Sequence, residues 1–173
     1  MCVIKVIQQD ITNIAVDAIV NAANRSLLGG GGVDGAIHRS AGPELLEECR
    51  KLKGCETGDA KITKGYNLLA MYVIHTAGPV WSGGEQGEDG LLESCYKRSM
   101  DVASKHGVRT IAFPCISTGV YRFPKLRAAQ IAAETVRKCL KDFKMENVYF
   151  VCFSSQNLEI YKKLFADKKN NLY

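Results

Sequence analysis

Two polar residues, Asn24 and Asp34, bracket a run of four glycines, Gly29 to Gly32, in the stretch NAANRSLLGGGGVDGAIHRSAGP. Consecutive glycines let backbone N–H groups converge on one point and let a bulky anion come close. A helix opening at Asp34 or Gly35 would add partial positive charge behind that point. The chemistry such a stretch suits is the holding of a phosphate beside a carboxylate that can accept a proton. A second loop, Pro114 to Tyr121, reads PCISTGVY and again combines small residues, two hydroxyls and a glycine. Two such loops facing each other would grip a diphosphate from both sides, which points to a nucleoside diphosphate ligand.

The glycine run formally satisfies G-x-G-x-x-G at Gly30, Gly32 and Gly35, yet it fails as a dinucleotide fingerprint. Nine residues separate the apolar Val20 from Gly30, where the first glycine should follow its strand almost at once. The acidic residue downstream, Glu56, lies in the turn-like GCETG. No lysine follows Gly35, so the stretch is not a P-loop either. Ser117 and Thr118 have no histidine nearby in sequence and no nucleophile elbow, and Cys115 reads as a buried strand-end thiol. The three histidines are isolated from one another, with His38 one helical turn after Asp34, so neither a metal site nor a cofactor is predicted. Simpler readings stay open at each position: Asp34 as a helix cap, Asn24 as a turn former, Asp10 as an N-cap or Asx-turn residue and Phe153 as a core aromatic.

The elements that must position these residues are legible from periodicity. Strands are predicted over Val3–Ile7, Ala18–Val20, Ala60–Thr63, Met71–Ile74, Val108–Phe113 and Val148–Phe153. Helical stripes run from Leu92 to Ala103, Ala128 to Leu140 and Leu158 to Phe165. Short helices are predicted over Gly35–Ser40 and Glu44–Leu52, separated by Ala41-Gly42-Pro43. Alternation of strands and helices implies an α/β class with a largely parallel central sheet covered on both faces. Ligands of such sheets bind beyond the strands' carboxyl ends. The loops Asn21–Val33, Pro114–Phe123 and Ser154–Asn157 fall there, and Gly78–Gly90, with the sole tryptophan, Trp81, reads as a flap or a surface loop.

The 173 residues suit a single domain, 1–173. A net charge of +5 is modest, and the densest basic stretch, Lys162-Lys163 with Lys168-Lys169, reads as a solvated helix end, so nucleic acid is not indicated. Seven cysteines without a C-x-x-C pair, and no secretory leader at Met1-Cys2-Val3, predict reduced thiols in a cytoplasmic protein. No apolar run approaches the length that spans a bilayer, so no membrane partner is predicted.

Taken together, these residues resemble the macrodomain family, in its MacroD-type branch that includes bacterial O-acetyl-ADP-ribose deacetylases. The matching pieces are Gln9-Asp10-Ile11-Thr12, Asn21-Ala22-Ala23-Asn24, Gly29 through Ala36 with His38, Ala77 through Trp81, Ile116 through Tyr121, and Tyr149 through Phe153. The resemblance implies a three-layer α/β/α sandwich with a mixed, largely parallel sheet that binds ADP-ribose in a deep cleft. Asp10 and the Ile11 backbone would then meet the adenine, which Phe153 would stack on or flank. Gly30, Gly31, Gly32 and Val33 on one side, and Ser117, Thr118, Gly119, Val120 and Tyr121 on the other, would hold the diphosphate through backbone amides. Ala22 joins the ligand-binding set, and Asn24 and Asp34 would face the distal ribose as the catalytic pair. The implied activity is hydrolysis of ADP-ribose esters, of the acetyl or the protein-linked kind, by a monomer. The alternative is a module that binds ADP-ribose without turning it over. Gln9 and Arg122 depart from the family's usual glycine and small residue.

Overall fold

The computed structural model describes residues 1–166; Lys168 and Lys169 of the basic stretch lie outside the described residues. Six strands form one sheet: β1 (Val3–Gln8), β2 (Ala18–Ala23), β3 (Ala60–Lys64), β4 (Tyr72–Ala77), β5 (Thr110–Phe113) and β6 (Asn147–Cys152). Their spatial order is β1-β6-β5-β2-β4-β3, all neighbours parallel except the antiparallel edge strand β3. Five helices cover it: α1 (Gly32–Ala41), α2 (Pro43–Leu52), α3 (Glu88–Lys105), α4 (Lys125–Cys139) and α5 (Ser155–Ala166).

Two apolar cores lie on opposite faces of the sheet, which gives three layers. Ala18 and Val20 of β2 pack with Met100 of α3, Ala132 of α4 and Tyr161 of α5. Their sequence neighbours Ile19 and Ala23 point the other way, toward Ile37 of α1 and Leu45 of α2. The two-residue period of a strand makes this split, and strands buried on both faces read as continuous apolar runs. Phe150 anchors the first core, with ring centroids 5.0 Å from Tyr161 and 5.6 Å from Phe165. Each such fully buried side chain contributes about 1.5–3 kcal/mol.

Several boundaries differ from those the sequence suggests, each for a local reason. Helix α3 begins four residues before Leu92, because Glu88 turns back to accept the N–H groups of Ser82 (3.0 Å) and Gly84 (2.8 Å). That contact, with Trp81 packed on Phe123 at 4.8 Å and its N–H bonded to Tyr121 O at 2.8 Å, pins the Gly78–Gly87 segment as a surface loop. The residues Ser155–Asn157, predicted as loop, are the first turn of α5, with the Ser154 hydroxyl accepting the Asn157 N–H at 3.2 Å. Strand β5 starts at Thr110 rather than Val108, since the Arg109 and Thr110 N–H groups both bond Asp17 Oδ2. Met71 falls outside β4 and Phe153 outside β6. Gly42, at φ +90°, ends α1 and leads into Pro43 at the first turn of α2.

Candidate functional site

Because β1, β6, β5 and β2 lie side by side and parallel, their carboxyl ends present their loops along one edge in a fixed order. Asp10 follows β1, Phe153 follows β6, the Pro114–Tyr121 loop follows β5, and the Asn24–Gly31 segment follows β2. All the residues singled out by sequence therefore fall on one edge, with Ala22 on β2 itself.

At the β1 end, Asp10 is exposed and caps a 3-10 turn, Ile11–Asn13. Its Oδ1 accepts from Thr12 N at 2.9 Å and Thr12 Oγ1 at 2.7 Å, so the capping role is real and Oδ2 is left over. Ile11 is buried beneath it. Phe153 is no core aromatic: it is 87% exposed, a cost in apolar hydration that a flat aromatic ligand would relieve.

The two loops offer donors in different ways. Helix α1 opens at Gly32, two to three residues before the expected Asp34 or Gly35, so Gly32, Val33 and Asp34 form its first turn. Among the described residues, their N–H groups and that of Gly31 meet no acceptor, as first-turn amides must. In the second loop the hydroxyls do not face outward. Thr118 Oγ1 bonds Cys115 O at 2.9 Å, and Ser117, held at φ +64°, buries its hydroxyl against Gly78. What that loop presents is the N–H groups of Gly119, Val120 and Tyr121, which have no acceptor among the described residues. Arg122 ends this loop in the left-handed region, at φ +59°.

The glycines divide by physical need. Gly29 and Gly32 have φ of +93° and +56°, the region side chains disfavour. A Cβ on Gly35 would stand 2.5 Å from Gly30 O, so Gly35 lets the loop lie on the helix. A Cβ on Gly30 would stand 3.0 Å from Asp34 Oδ2 and 3.4 Å from Asn24 Nδ2, which places both polar atoms beside one point. A Cβ on Gly31 would meet nothing within 4 Å, and its φ is an ordinary −92°.

Asp34 does not cap its own helix. Its Oδ1 accepts from Asn21 Nδ2 at 2.8 Å and stands 3.5 Å from His38 Nε2, while the buried Oδ2 has no hydrogen-bond partner among the described residues. Four of the six such orphaned buried atoms among the described residues, Asn21 Oδ1, Asp34 Oδ2, His38 Nε2 and Ser117 Oγ, gather at the two loops. Native proteins keep few such groups, and each has a reason, such as a catalytic role, stored strain or a bound water or ion. Asn24 is half-buried and largely committed to its loop: Oδ1 accepts from Ser26 N and Oγ and from Leu27 N, and Nδ2 donates to Gly29 O at 2.9 Å. One Nδ2 hydrogen remains.

The chain that carries this edge, with an exposed aromatic, two rows of free amides and a buried unpartnered carboxylate among the described residues, is similar to known proteins. The Macro domain model matches residues 20–132. The chain belongs to the Macro domain family. A "Macro domain-containing protein CT2219" of Chlorobaculum tepidum is 62% identical over 164 residues, covering 94% of this chain and 95% of its own. The O-acetyl-ADP-ribose deacetylase of Escherichia fergusonii is 53% identical over 170 residues, covering 95% and 96%. A variant of the Oceanobacillus iheyensis macrodomain, solved with ADPR, superposes with TM-score 0.89 at 39% identity, covering 94% of this chain and 93% of its own.

In this Macro domain, sequence reasoning gave no role to Asn21, His75 or Thr63, all buried polar residues near Asp34. Asn21 and His75 are fully buried polar residues in largely apolar strands, a placement that demands internal hydrogen bonds. That was the signal available. Cys115 is half-buried with its Sγ 3.9 Å from Cys152 Sγ. The contact with that thiol, and then burial, push the pKa of Cys115 up, which leaves it a poor nucleophile. Among the described residues, no helix is long and apolar enough to cross a membrane.

Proposed function

We propose that this Macro domain hydrolyses ADP-ribose esters, deacetylating O-acetyl-ADP-ribose and releasing mono-ADP-ribose from acidic protein side chains. The observation that carries the proposal is the Asp34 carboxylate at the head of α1, whose buried Oδ2, without a partner among the described residues, stands 3.0 Å from where a Gly30 Cβ would lie, a point 3.4 Å from Asn24 Nδ2. Burial without a partner is unfavourable to stability, so its retention is best explained by a reaction that uses it.

Along the edge, Asp10 Oδ2 and the Ile11 backbone would take the adenine, with Phe153 against its face. The amides of Gly30–Val33 and of Gly119–Tyr121 would share the two phosphates, favoured by the N-terminus of α1, whereas the Thr118 N–H expected to join them is spent on Cys115 O at 3.4 Å. That grip would set the distal ribose at Asn24 and Asp34. Asp34 would remove a proton from water, the hydroxide adding to the ester carbonyl carbon. The bond from that carbon to the ribose oxygen would then break, and the oxygen would take the proton back from Asp34. Positioning by remote binding, with base catalysis of about 10²–10⁴-fold, accounts for the chemistry without a covalent enzyme intermediate. Two relatives named O-acetyl-ADP-ribose deacetylase support this reading. So do solved alanine variants of the Oceanobacillus protein at an asparagine and at an aspartate ten residues on, the spacing of Asn24 and Asp34.

One observation favours the alternative, a binding module without turnover: most of Asn24's hydrogen-bonding capacity is spent within its own loop. Incubation of the wild-type protein with O-acetyl-ADP-ribose and with a protein mono-ADP-ribosylated on glutamate separates the two. Release of acetate and of ADP-ribose is expected; binding of ADP-ribose with neither product would leave the module reading.

A further inference from the structure

Behind Asp34, under α1 and α2, polar side chains from four elements form a continuous chain through the apolar core. Asn21 Nδ2 of β2 donates to Asp34 Oδ1 at 2.8 Å and lies 3.1 Å from His75 Nδ1 of β4. His75 Nε2 lies 2.9 Å from Thr63 Oγ1 of β3, with Cys49 Sγ of α2 at 3.8 Å. Asn21 and His75 face each other in the register of the parallel β2–β4 pair, and both are 0% exposed.

One arrangement of protons fits these contacts, with Asn21 Oδ1 left without a partner among the described residues. The same amide nitrogen of Asn21 touches both the carboxylate and the imidazole, so it spends one hydrogen on each. Rotating the amide by half a turn would set its oxygen against a carboxylate oxygen. His75 must then accept at Nδ1, which puts its proton on Nε2, aimed at the Thr63 hydroxyl. A second ring proton would meet the Asn21 N–H donor to donor. Burial, and after it the neighbouring His38, pushes the His75 imidazole down to about 3, so the ring stays neutral.

Resting on the reading of Asp34 as the base, we infer that His75 is a positioning residue: its Nε2–H tautomer fixes the Asn21 amide, which in turn sets the carboxylate rotation that turns Asp34 Oδ2 toward the reacting ester. The terminal torsion of an aspartate is broad and roughly two-fold, so nothing intrinsic to Asp34 chooses which oxygen takes the position beside Gly30. Asn21 chooses it, and Asn21 is held at its far side by His75. Outer hydrogen-bond partners of this kind at other centres matter by about 10–100-fold, through orientation rather than contact with the reactants.

The test compares His75→Asn, whose side-chain oxygen can replace the Nδ1 acceptor, with His75→Leu, which cannot. The Leu variant is expected to lose about 10–100-fold in kcat on O-acetyl-ADP-ribose, with KM and the Kd for ADP-ribose within about threefold of wild type. The Asn variant is expected to recover most of that loss. Equal kcat in both variants, or losses that track melting temperature and Kd together, would reduce His75 to a structural role. Nitrogen NMR of the wild-type ring should show bare Nδ1 and protonated Nε2 from pH 5 to 8; the opposite tautomer, or titration in that window, overturns the inference. The Asp34 carboxyl carbon signal should change in the Leu variant and not in the Asn variant. Absence of acetate release by the wild type would sink the hydrolase reading alone, since both NMR readouts still decide whether His75 positions Asp34.

Discussion

Replacing Asp34 by asparagine should make the protein more stable while removing its activity. The side chain is 6% exposed, and Oδ2 has no hydrogen-bond partner. Leaving a buried acceptor unpaired costs about 1–3 kcal/mol, and more when it is charged. Two features offset part of that cost: the first-turn position on α1, worth about 0.3–1 kcal/mol to an anion, and His38 Nε2 at 3.5 Å. Asp34→Asn keeps an oxygen to accept from Asn21 and removes the charge, at the loss of those offsets. The balance is a gain of about 1–2 kcal/mol, or about 2–8 °C in Tm for a chain of this size. Calorimetry of both proteins at pH 7.5, with ADP-ribose titrations to show an intact cleft, measures it. A lower Tm in the variant would show that the carboxylate is a structural acceptor in a satisfied site, and the argument from its burial to its use would fail.

Further outcomes follow from the glycines, the exposed aromatic and the buried imidazole. Gly35→Ala should cost about 1–3 kcal/mol by overpacking, since its Cβ would meet the Gly30 backbone at 2.5 Å, whereas Gly31→Ala should stay within about 0.5 kcal/mol of wild type by urea denaturation. Phe153→Ala should weaken ADP-ribose by about 1–3 kcal/mol in calorimetric titration while Tm holds, because a side chain 87% exposed stabilises little. Folding should lose about 2 kcal/mol between pH 7.5 and pH 5 through His75, whose folded pKa of about 3 lies below an unfolded value of about 6.5. The unfolded chain takes a proton there that the folded one refuses, so stability is full above pH 6.5 and falls toward acid. Urea denaturation of His75→Asn should show this decline flattened, and an equal decline in both proteins would contradict the assignment.

Strand positions were legible because strands buried on both faces leave uninterrupted apolar runs, as at Tyr72–Ile74 and Val148–Val151. The glycine loop and its partner were legible because both need unusual residues at strand ends. Helix starts were not, where polar residues act as caps: Glu88 and Ser154 look like loop until their backbone partners are seen. The hydroxyls of Ser117 and Thr118 suggested donors to phosphate, yet the left-handed Ser117 turns them inward and leaves only amides facing out. The support behind Asp34 was hidden for a different reason. Asn21, Thr63 and His75 are far apart in sequence and meet only through the β2-β4-β3 neighbourhood.

The most direct measurement is the rate of acetate release from saturating O-acetyl-ADP-ribose by the wild type and by Asp34→Asn, with the Kd for ADP-ribose determined for both. If Asp34 is the base, the rate falls about 10²–10⁴-fold at an affinity within a few-fold. Equal rates in the two proteins would contradict that role, and the buried carboxylate beside Gly30 would have to be explained without chemistry.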